Sequence, residues 1–177
     1  MQREESLFQG YNFEYKGGVN NAYTFQTGNR ISYSITFKPT FYLFGEDSVF
    51  SQNTFEFSIL VLVNPTDKTP PLDKAIPPTI ASIFKDFYEN APETIAIYIC
   101  DSSDDRQLLR KRKFDDWFNY YQGQLFVKID SGFKETNGTQ YPVSLIIKES
   151  HPFRTQISDE FLNVVNGYNA EIGRAHV

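Results

Sequence analysis

The sequence predicts a single α+β domain: an N-terminal antiparallel meander is followed by a β-α-β-α-β-β-α run, and helices pack on a mixed sheet. Three observations support this class. The 177 residues are about the length of one domain. Apolar and polar residues nearly alternate in several runs before residue 63, as in strands. Later in the chain, apolar residues recur at helical spacing between shorter strand-like runs.

The first half of the chain contains the strands with the clearest alternation. The run ISYSITF at residues 31–37 places its apolar residues on one face and its serines and threonine on the other. Further strands are predicted at residues 11–16, 22–27, 41–44 and 55–63. Together these runs predict a meander of four or five antiparallel strands.

A proline-rich loop at residues 64–78 separates this meander from the second half. Two prolines at its end suit the first turn of a helix that runs to about Asn90. The later predictions are a strand at 94–100, a helix at about 104–121, strands at 125–130 and 141–148, and a helix near 158–166. Gly167 and Asn169 are residue types that commonly end helices.

Composition excludes several functional classes. The one cysteine, Cys100, cannot form an intrachain disulfide or a multi-cysteine metal site, and we expect no metal and no bound cofactor. A net charge of −5 provides no global attraction for nucleic acid or anionic membranes. The longest apolar run, residues 59–63, is far shorter than the ~20 residues of a membrane-spanning helix. With no basic and apolar leader at the start, we expect a cytoplasmic location.

The last seven residues, EIGRAHV at 171–177, are set apart from the domain, which we place at residues 1–170. This string resembles a translated sequencing-library adapter, so we expect an artefactual tail and seek no site residue in it. The alternative is a genuine terminal peptide.

The segment at residues 101–118 combines a strand end, a helix start and a cluster of charges. At ~100° per residue, Arg106 and Arg110 fall on or beside the helix stripe that later carries aromatic residues. That stripe is expected to consist of Phe114, Trp117, Phe118 and Tyr121. Unpaired guanidinium groups there would be costly, so both arginines need a carboxylate, a ligand or water.

We therefore single out Asp101, Arg106 and Arg110 as a candidate pocket for a small anion or a partner. The pocket would lie beyond the carboxyl end of a strand, where a helix N-terminus adds positive potential. The alternative is structural: Asp101 and another carboxylate pair with the arginines, whose stems cover apolar surface.

Other residues with reactive or charged side chains have simpler interpretations. The basic run at 110–113 resembles a nucleic-acid patch, but aspartates bracket it and its side chains point in different directions on a helix. Cys100 is expected to be an inert core thiol, and His151 has no second histidine with which to hold a metal. The sequence signatures of nucleophile elbows, P-loops and dinucleotide sites are absent, so no catalytic residue is predicted.

Residues 79–130 contain a strand ending in Cys-Asp, an Arg-Gln-x-x-Arg helix start and a Phe-x-x-Trp-Phe run two turns later. This pattern resembles a family of bacterial domains of unknown function over most of residues 11–168, which implies no established activity. The order of elements is similar to the GCN5-related N-acetyltransferase fold. That likeness implies a phosphate-binding turn, Gln/Arg-x-x-Gly-x-Gly/Ala, after the long strand, whereas residues 64–79 contain no glycine.

The sequence thus predicts a bacterial cytoplasmic binding or interaction domain without catalysis of its own. Its partner would be an unknown protein or a small anionic ligand. The alternatives are a degenerate acyl-CoA-dependent N-acetyltransferase-like enzyme and a nucleic-acid-associated protein.

Overall fold

A computed structural model describes residues 9–100, 106–121 and 125–174 of the chain. The elements are β1 (Phe13–Gly17), β2 (Ala22–Gln26), β3 (Ser32–Pro39), β4 (Thr54–Val63), α1 (Ile76–Asn90), β5 (Ile95–Ile99), α2 (Gln107–Tyr121), β6 (Phe126–Lys134), β7 (Gln140–Lys148) and α3 (Arg154–Arg174). The strands form one seven-stranded sheet in the order β1-β2-β3-β4-β5-β7-β6. The pair β4–β5 is parallel, whereas the other neighbouring pairs are antiparallel. The predicted α+β class and element order are confirmed.

One hydrophobic core lies between the sheet and helices α1 and α2. The predicted apolar face of β3 is confirmed, because Tyr33, Ile35 and Phe37 are all buried in this core, and Ser34 and Thr36 on the polar face are buried as well. Phe37 stacks on Phe87 of α1 with ring centroids 3.9 Å apart. Tyr23 of β2 is buried beside them and donates its hydroxyl to Asp86 of α1 at 2.7 Å. Aromatic side chains therefore hold α1 against the meander.

A second core lies on the opposite face of the sheet. Ala96 of β5 belongs to the first core, while its neighbours Ile95 and Ile97 belong to the second. Successive strand residues point to opposite faces, so the two cores are separated by the sheet. Helix α3 covers the second core with Ile157, Phe161 and Val165.

The strand predicted at residues 41–44 is wrong, because this segment forms a turn. The backbone amide of Gly45 donates to the carbonyl of Phe41 at 2.9 Å, and Gly45 adopts a φ of +84°. Leu43 of the run is buried in the second core and Phe44 packs against that core, whereas Phe41 is 49% exposed. The apolar composition of the run therefore reflects these core contacts and not a strand partner.

The hairpin of β6 and β7 is longer than predicted. Residues 131–134 were expected in a loop, but they continue β6 because β7 supplies partners along their whole length. The connection is a short turn over residues 135–139 in which Gly138 has a φ of +85°. Backbone pairing here outweighs the polar, turn-rich composition of the segment.

Helix α3 is also longer than predicted, since it begins at Arg154 and continues through Gly167 and Asn169. Asn169 lies within the helix, and its side chain forms two hydrogen bonds with the backbone of β6. Its Oδ1 accepts from the backbone amide of Lys134 at 2.9 Å, and its Nδ2 donates to the carbonyl of Gly132 at 2.9 Å. Tertiary contacts therefore override a residue type that often ends helices.

None of the helices in the described ranges is long and apolar enough to cross a lipid bilayer.

Candidate functional site

The structure describes two of the three residues that the sequence analysis grouped as a candidate pocket, Arg106 and Arg110. Arg106 precedes α2 and is exposed, and its carbonyl accepts the backbone amide of Arg110 at 3.0 Å. Arg110 lies one turn further along, is half-buried and lines a cavity beneath α2. Asp101 lies outside the described residues. Of the predicted set, Arg110 is thus the residue that the structure places in a cavity.

The cavity lies where two central strands separate. Strands β4 and β5 pair only over residues 54–56 and 95–97, although β4 continues to residue 63. Beyond this short parallel pairing, Ile59 of β4 and Tyr98 of β5 form part of the floor. Helix α2 and the proline-rich loop before α1 supply the remaining walls. We call this space, of about 240 Å³, the polar cavity.

Two cationic side chains and one carboxylate line the polar cavity. Arg110 and Lys113 are three residues apart on α2, a spacing that makes them neighbours on one helix face. The carboxylate is Asp73 from the proline-rich loop. The remaining lining residues are aromatic or apolar: Tyr33, Ile59, Pro70, Pro71, Ile76, Tyr98, Phe114 and Trp117. Counted over the described lining residues, these charges sum to a positive excess.

The carboxylate of Asp73 is held by two hydrogen bonds at the start of α1. Its Oδ2 accepts the hydroxyl of Tyr11 at 2.6 Å, and its Oδ1 accepts the backbone amide of Ala75 at 2.9 Å. The hydrogen bond to Asp73 is the main reason that the pKa of Tyr11 lies above its ordinary value. Asp73 therefore fixes the loop against the segment before β1.

Tyr98 and Cys100 lie below α2, form a hydrogen bond with each other and both have raised pKa values. The pKa of Tyr98 is raised, first by burial and then by its interaction with Cys100, and the charge of Arg110 only partly opposes this. Burial likewise raises the pKa of the Cys100 thiol, despite a hydrogen bond with Tyr98 and the nearby cations Lys111 and Arg110. Both groups are protonated at neutral pH, so this pair carries no negative charge.

A second space, which we call the apolar groove, lies between α1 and α2. It has a volume of about 370 Å³ and is lined by Pro77, Pro78, Ile80, Ala81, Ser82, Phe84, Lys85, Phe114, Trp117, Phe118, Leu125 and Phe126. Phe114 and Trp117 also line the polar cavity. The ammonium of Lys113 lies 5.0 Å from the ring centroid of Trp117. Two residues of the predicted aromatic stripe of α2, Phe114 and Trp117, thus line both spaces, and Phe118 lines the groove. The side chain of Tyr121 lies outside the described part.

Helix α2 is fixed to the sheet by a cluster of alternating charges that was not predicted from the sequence. Lys111 and Lys128 both contact Asp115, and both lie near Asp130 of β6. Ser144 of β7 donates its hydroxyl to Asp130 at 2.7 Å. The spacing of four between Lys111 and Asp115 was a usable signal, whereas the partners on β6 depend on tertiary structure.

The basic run at residues 110–113 does not form one surface. Arg110 and Lys113 line the polar cavity, Lys111 is half-buried against Asp115, and Arg112 is exposed. Lys113 was missed as a site residue, although its position three residues after Arg110 could have identified it. The four side chains serve different environments, as expected for consecutive positions on a helix.

The remaining candidate side chains have structural partners. His151 Nδ1 accepts the backbone amide of Phe153 at 3.0 Å, so its Nε2 carries the proton and donates to the carbonyl of Glu93 at 3.2 Å. Cys100 is buried, as expected for a core thiol. Among the described residues, no group of three or more histidine, cysteine or acidic side chains could hold a metal ion.

Comparison with known proteins gives one match. Neither a curated protein nor a solved structure matches the chain. A family model matches residues 72–165, which include Asp73, both helices that flank the apolar groove, and most of α3. Since this match covers more than half of the sequence, the chain belongs to DUF6169, a family of unknown function.

Proposed function

We propose that this protein is a binding domain for a small anionic ligand, without catalysis of its own, and that the polar cavity is its binding site. The observation that carries the proposal is that Arg110 and Lys113 share one cavity at the separation of β4 and β5. Arg106, one turn before Arg110, belongs to the proposal as an outer cation. Asp101 belongs to it as the residue predicted to border the same end of β5.

The charges around the cavity favour an anion. The described part of the lining holds two cations and one carboxylate, and Asp73 already accepts two hydrogen bonds from within the chain. Arg110 is half-buried, so an anion beside it interacts more strongly than at a fully hydrated surface. The fork of a guanidinium group suits a carboxylate or phosphate.

The titration behaviour of the same residues supports binding over catalysis. A nucleophilic thiol or a tyrosinate base requires a lowered pKa. Burial raises the pKa of both Cys100 and Tyr98 instead. A bacterial cytoplasmic location is part of this proposal, since a single buried cysteine suits a reducing compartment.

The test uses the fluorescence of Trp117, the one tryptophan of the chain, which lines the polar cavity. We expect butyrate and inorganic phosphate to cause a saturable change at millimolar concentration. Arg110→Gln should weaken binding at least ~10-fold, as for the loss of a charged hydrogen bond. The matched control is Arg112→Gln, which removes the same charge from an exposed position of α2 and should leave binding unchanged. The proposal is overturned if neither anion causes a saturable change, or if Arg110→Gln and Arg112→Gln weaken anion binding equally.

A second candidate function is acyl-CoA-dependent acetyl transfer. Two observations favour it: the strand order, and the parallel pair β4–β5, whose pairing ends after three residues. The order of elements is similar to that of the GCN5-related N-acetyltransferase fold. The start of α1, however, offers a pyrophosphate few backbone donors. Pro77 and Pro78 have no amide hydrogen, and the amides of Ala75 and Ile76 already bond to Asp73.

Isothermal calorimetry with acetyl-CoA separates the two candidates. If the protein binds a small anion only, acetyl-CoA at millimolar concentration produces no heat beyond that of matched inorganic phosphate. Saturable acetyl-CoA binding that acetate and phosphate do not reproduce, together with release of free CoA thiol in the presence of amines, would establish the second candidate instead.

A further inference from the structure

The apolar groove and the polar cavity are adjacent compartments of opposite character. Eight of the groove's lining residues are proline, isoleucine, alanine or phenylalanine from α1, α2 and β6, and its polar members are Ser82 and Lys85. Lys85 is exposed and forms an ion pair with Glu89 at 3.9 Å. Arg110, Lys113 and Asp73 line the polar cavity and are not among the lining residues of the groove.

We propose that the ligand is an amphipathic anion with an acidic head and an apolar tail. The head occupies the polar cavity beside Arg110 and Lys113, and the tail passes Trp117 into the apolar groove. This inference rests on the proposed anion-binding function and adds the ligand's chemical class. Its basis is that the two spaces are adjacent and have Phe114 and Trp117 in common as lining residues.

The shared wall is suited to a molecule that changes polarity along its length. Phe114 is buried and packs against Tyr98 with ring centroids 4.3 Å apart, so it is a fixed part of the wall. Trp117 is half-buried, and Lys113 lies over its ring. The indole ring of Trp117 offers an apolar surface for the tail, and the neighbouring ammonium of Lys113 attracts the acidic head. A charged space and an apolar space thus adjoin at Phe114 and Trp117.

The size of the two spaces fits a small amphiphile. Ligand sites in proteins usually measure roughly 300–1,000 Å³. The groove alone, at about 370 Å³, lies at the lower end of that range, and the polar cavity adds about 240 Å³. A carboxylate or phosphate without a tail would leave the larger and more apolar of the two spaces unfilled.

The experiment compares three probes by Trp117 fluorescence: butyrate, octanoate and 1-octanol. Octanoate keeps the head of butyrate and lengthens the tail, whereas 1-octanol has a similar tail and no charge. Each buried methylene is worth about fourfold in affinity, so octanoate should bind at least ~10-fold more tightly than butyrate. Octanoate should also bind at least ~10-fold more tightly than 1-octanol, because only the anion uses Arg110. Octyl phosphate in the same titration shows whether the site prefers a phosphate or a carboxylate head.

Substitutions test whether the tail binds in the apolar groove and the head in the polar cavity. Ala81→Leu places a larger side chain in the apolar groove and should remove most of the preference for octanoate over butyrate, while Ala81→Ser keeps the preference. Arg110→Gln should remove the preference for octanoate over 1-octanol. Thermal unfolding of each variant verifies that it is folded.

The outcomes are distinct. Equal affinity for butyrate and octanoate, with dependence on Arg110, overturns this inference and leaves the anion-binding function in place. Equal affinity for octanoate and 1-octanol overturns the proposed function together with the inference. An octanoate preference that persists in Ala81→Leu shows that the tail does not lie in the groove and also overturns the inference.

Discussion

The ammonium of Lys128 on β6 lies 2.7 Å from Oδ1 of Asp115 on α2 and 2.7 Å from both carboxylate oxygens of Asp130. The Lys128 side chain is only 7% exposed. Lys111 of α2 contacts the same two carboxylates from the other side, at 2.5 and 3.8 Å. This cluster fixes the position of α2 over the sheet, and with it the position of Arg110.

The first prediction concerns the contact of Asp115 with Lys128. Asp115→Asn removes one of the two carboxylates that compensate a buried ammonium, so we expect the free energy of unfolding to fall by about 1–3 kcal/mol. Urea denaturation followed by circular dichroism measures the change. The control is Asp116→Asn, the next residue of α2, which is exposed and should change stability by less than ~0.5 kcal/mol. Equal effects of the two variants would show that the cluster does not hold α2.

The second prediction compares two phenylalanines, one in the core and one in the turn that was predicted as a strand. Phe37 is fully buried and stacks on Phe87, so Phe37→Ala should destabilise the protein by about 3–5 kcal/mol. Phe41 is 49% exposed, and Phe41→Ala should cost less than ~1 kcal/mol. Urea denaturation of both variants is the measurement. A large loss for Phe41→Ala would contradict the assignment of residues 41–44 to a turn.

The contrast between these two phenylalanines shows what could be predicted of the fold. Phe37 belongs to a run with a clear period of two, and this local pattern is sufficient to identify a strand and its buried face. Residues 41–44 are equally apolar but too few to show any period. Their turn depends on Gly45 and on the packing of Leu43 in the second core, which no local pattern reveals.

The candidate site could be predicted only where its residues lie on one helix. Helical spacing identified Arg110 and could have added Lys113. Asp73 reaches the polar cavity because the proline-rich loop folds back over β3 and β4, and Tyr98 reaches it because β4 and β5 separate. Both contacts depend on tertiary structure, so neither the loop composition nor the strand pattern contains them.

The third prediction tests the bond between Asn169 and β6. Asn169→Ala leaves the amide of Lys134 without the acceptor that the side chain supplied, so this amide should exchange with solvent at least ~5-fold faster, for a loss of about 1 kcal/mol. Native-state hydrogen exchange monitored by NMR provides the rate. Asn166→Ala, at an exposed position one turn earlier in α3, is the control and should leave Lys134 protected. Unchanged protection of the Lys134 amide in Asn169→Ala would show that the Asn169 side chain does not hold this edge of β6.

The fourth prediction concerns the dependence of stability on pH. Burial by itself raises the pKa of Asp130, but hydrogen bonds from Lys128 and Ser144 and the nearby lysine charges outweigh it and hold this pKa below its ordinary value. Burial lowers the pKa of Lys111, but Asp115 and Asp130 outweigh that effect and raise it. Both shifts favour the charged forms in the folded protein.

The direction of each shift fixes the pH range over which the cluster stabilises the fold. A carboxylate whose pKa is lowered by folding contributes fully above its unfolded value, about 4, and loses that contribution as the pH falls further. A lysine whose pKa is raised contributes fully below about 10.4 and loses its contribution as the pH rises through the folded value. Urea midpoints from pH 3 to 7 should therefore fall less steeply on acidification in Asp130→Asn than in the wild type, because the variant has no such carboxylate to protonate. Asp116→Asn should keep the wild-type slope, and parallel curves for Asp130→Asn and the wild type would contradict the charged role of Asp130.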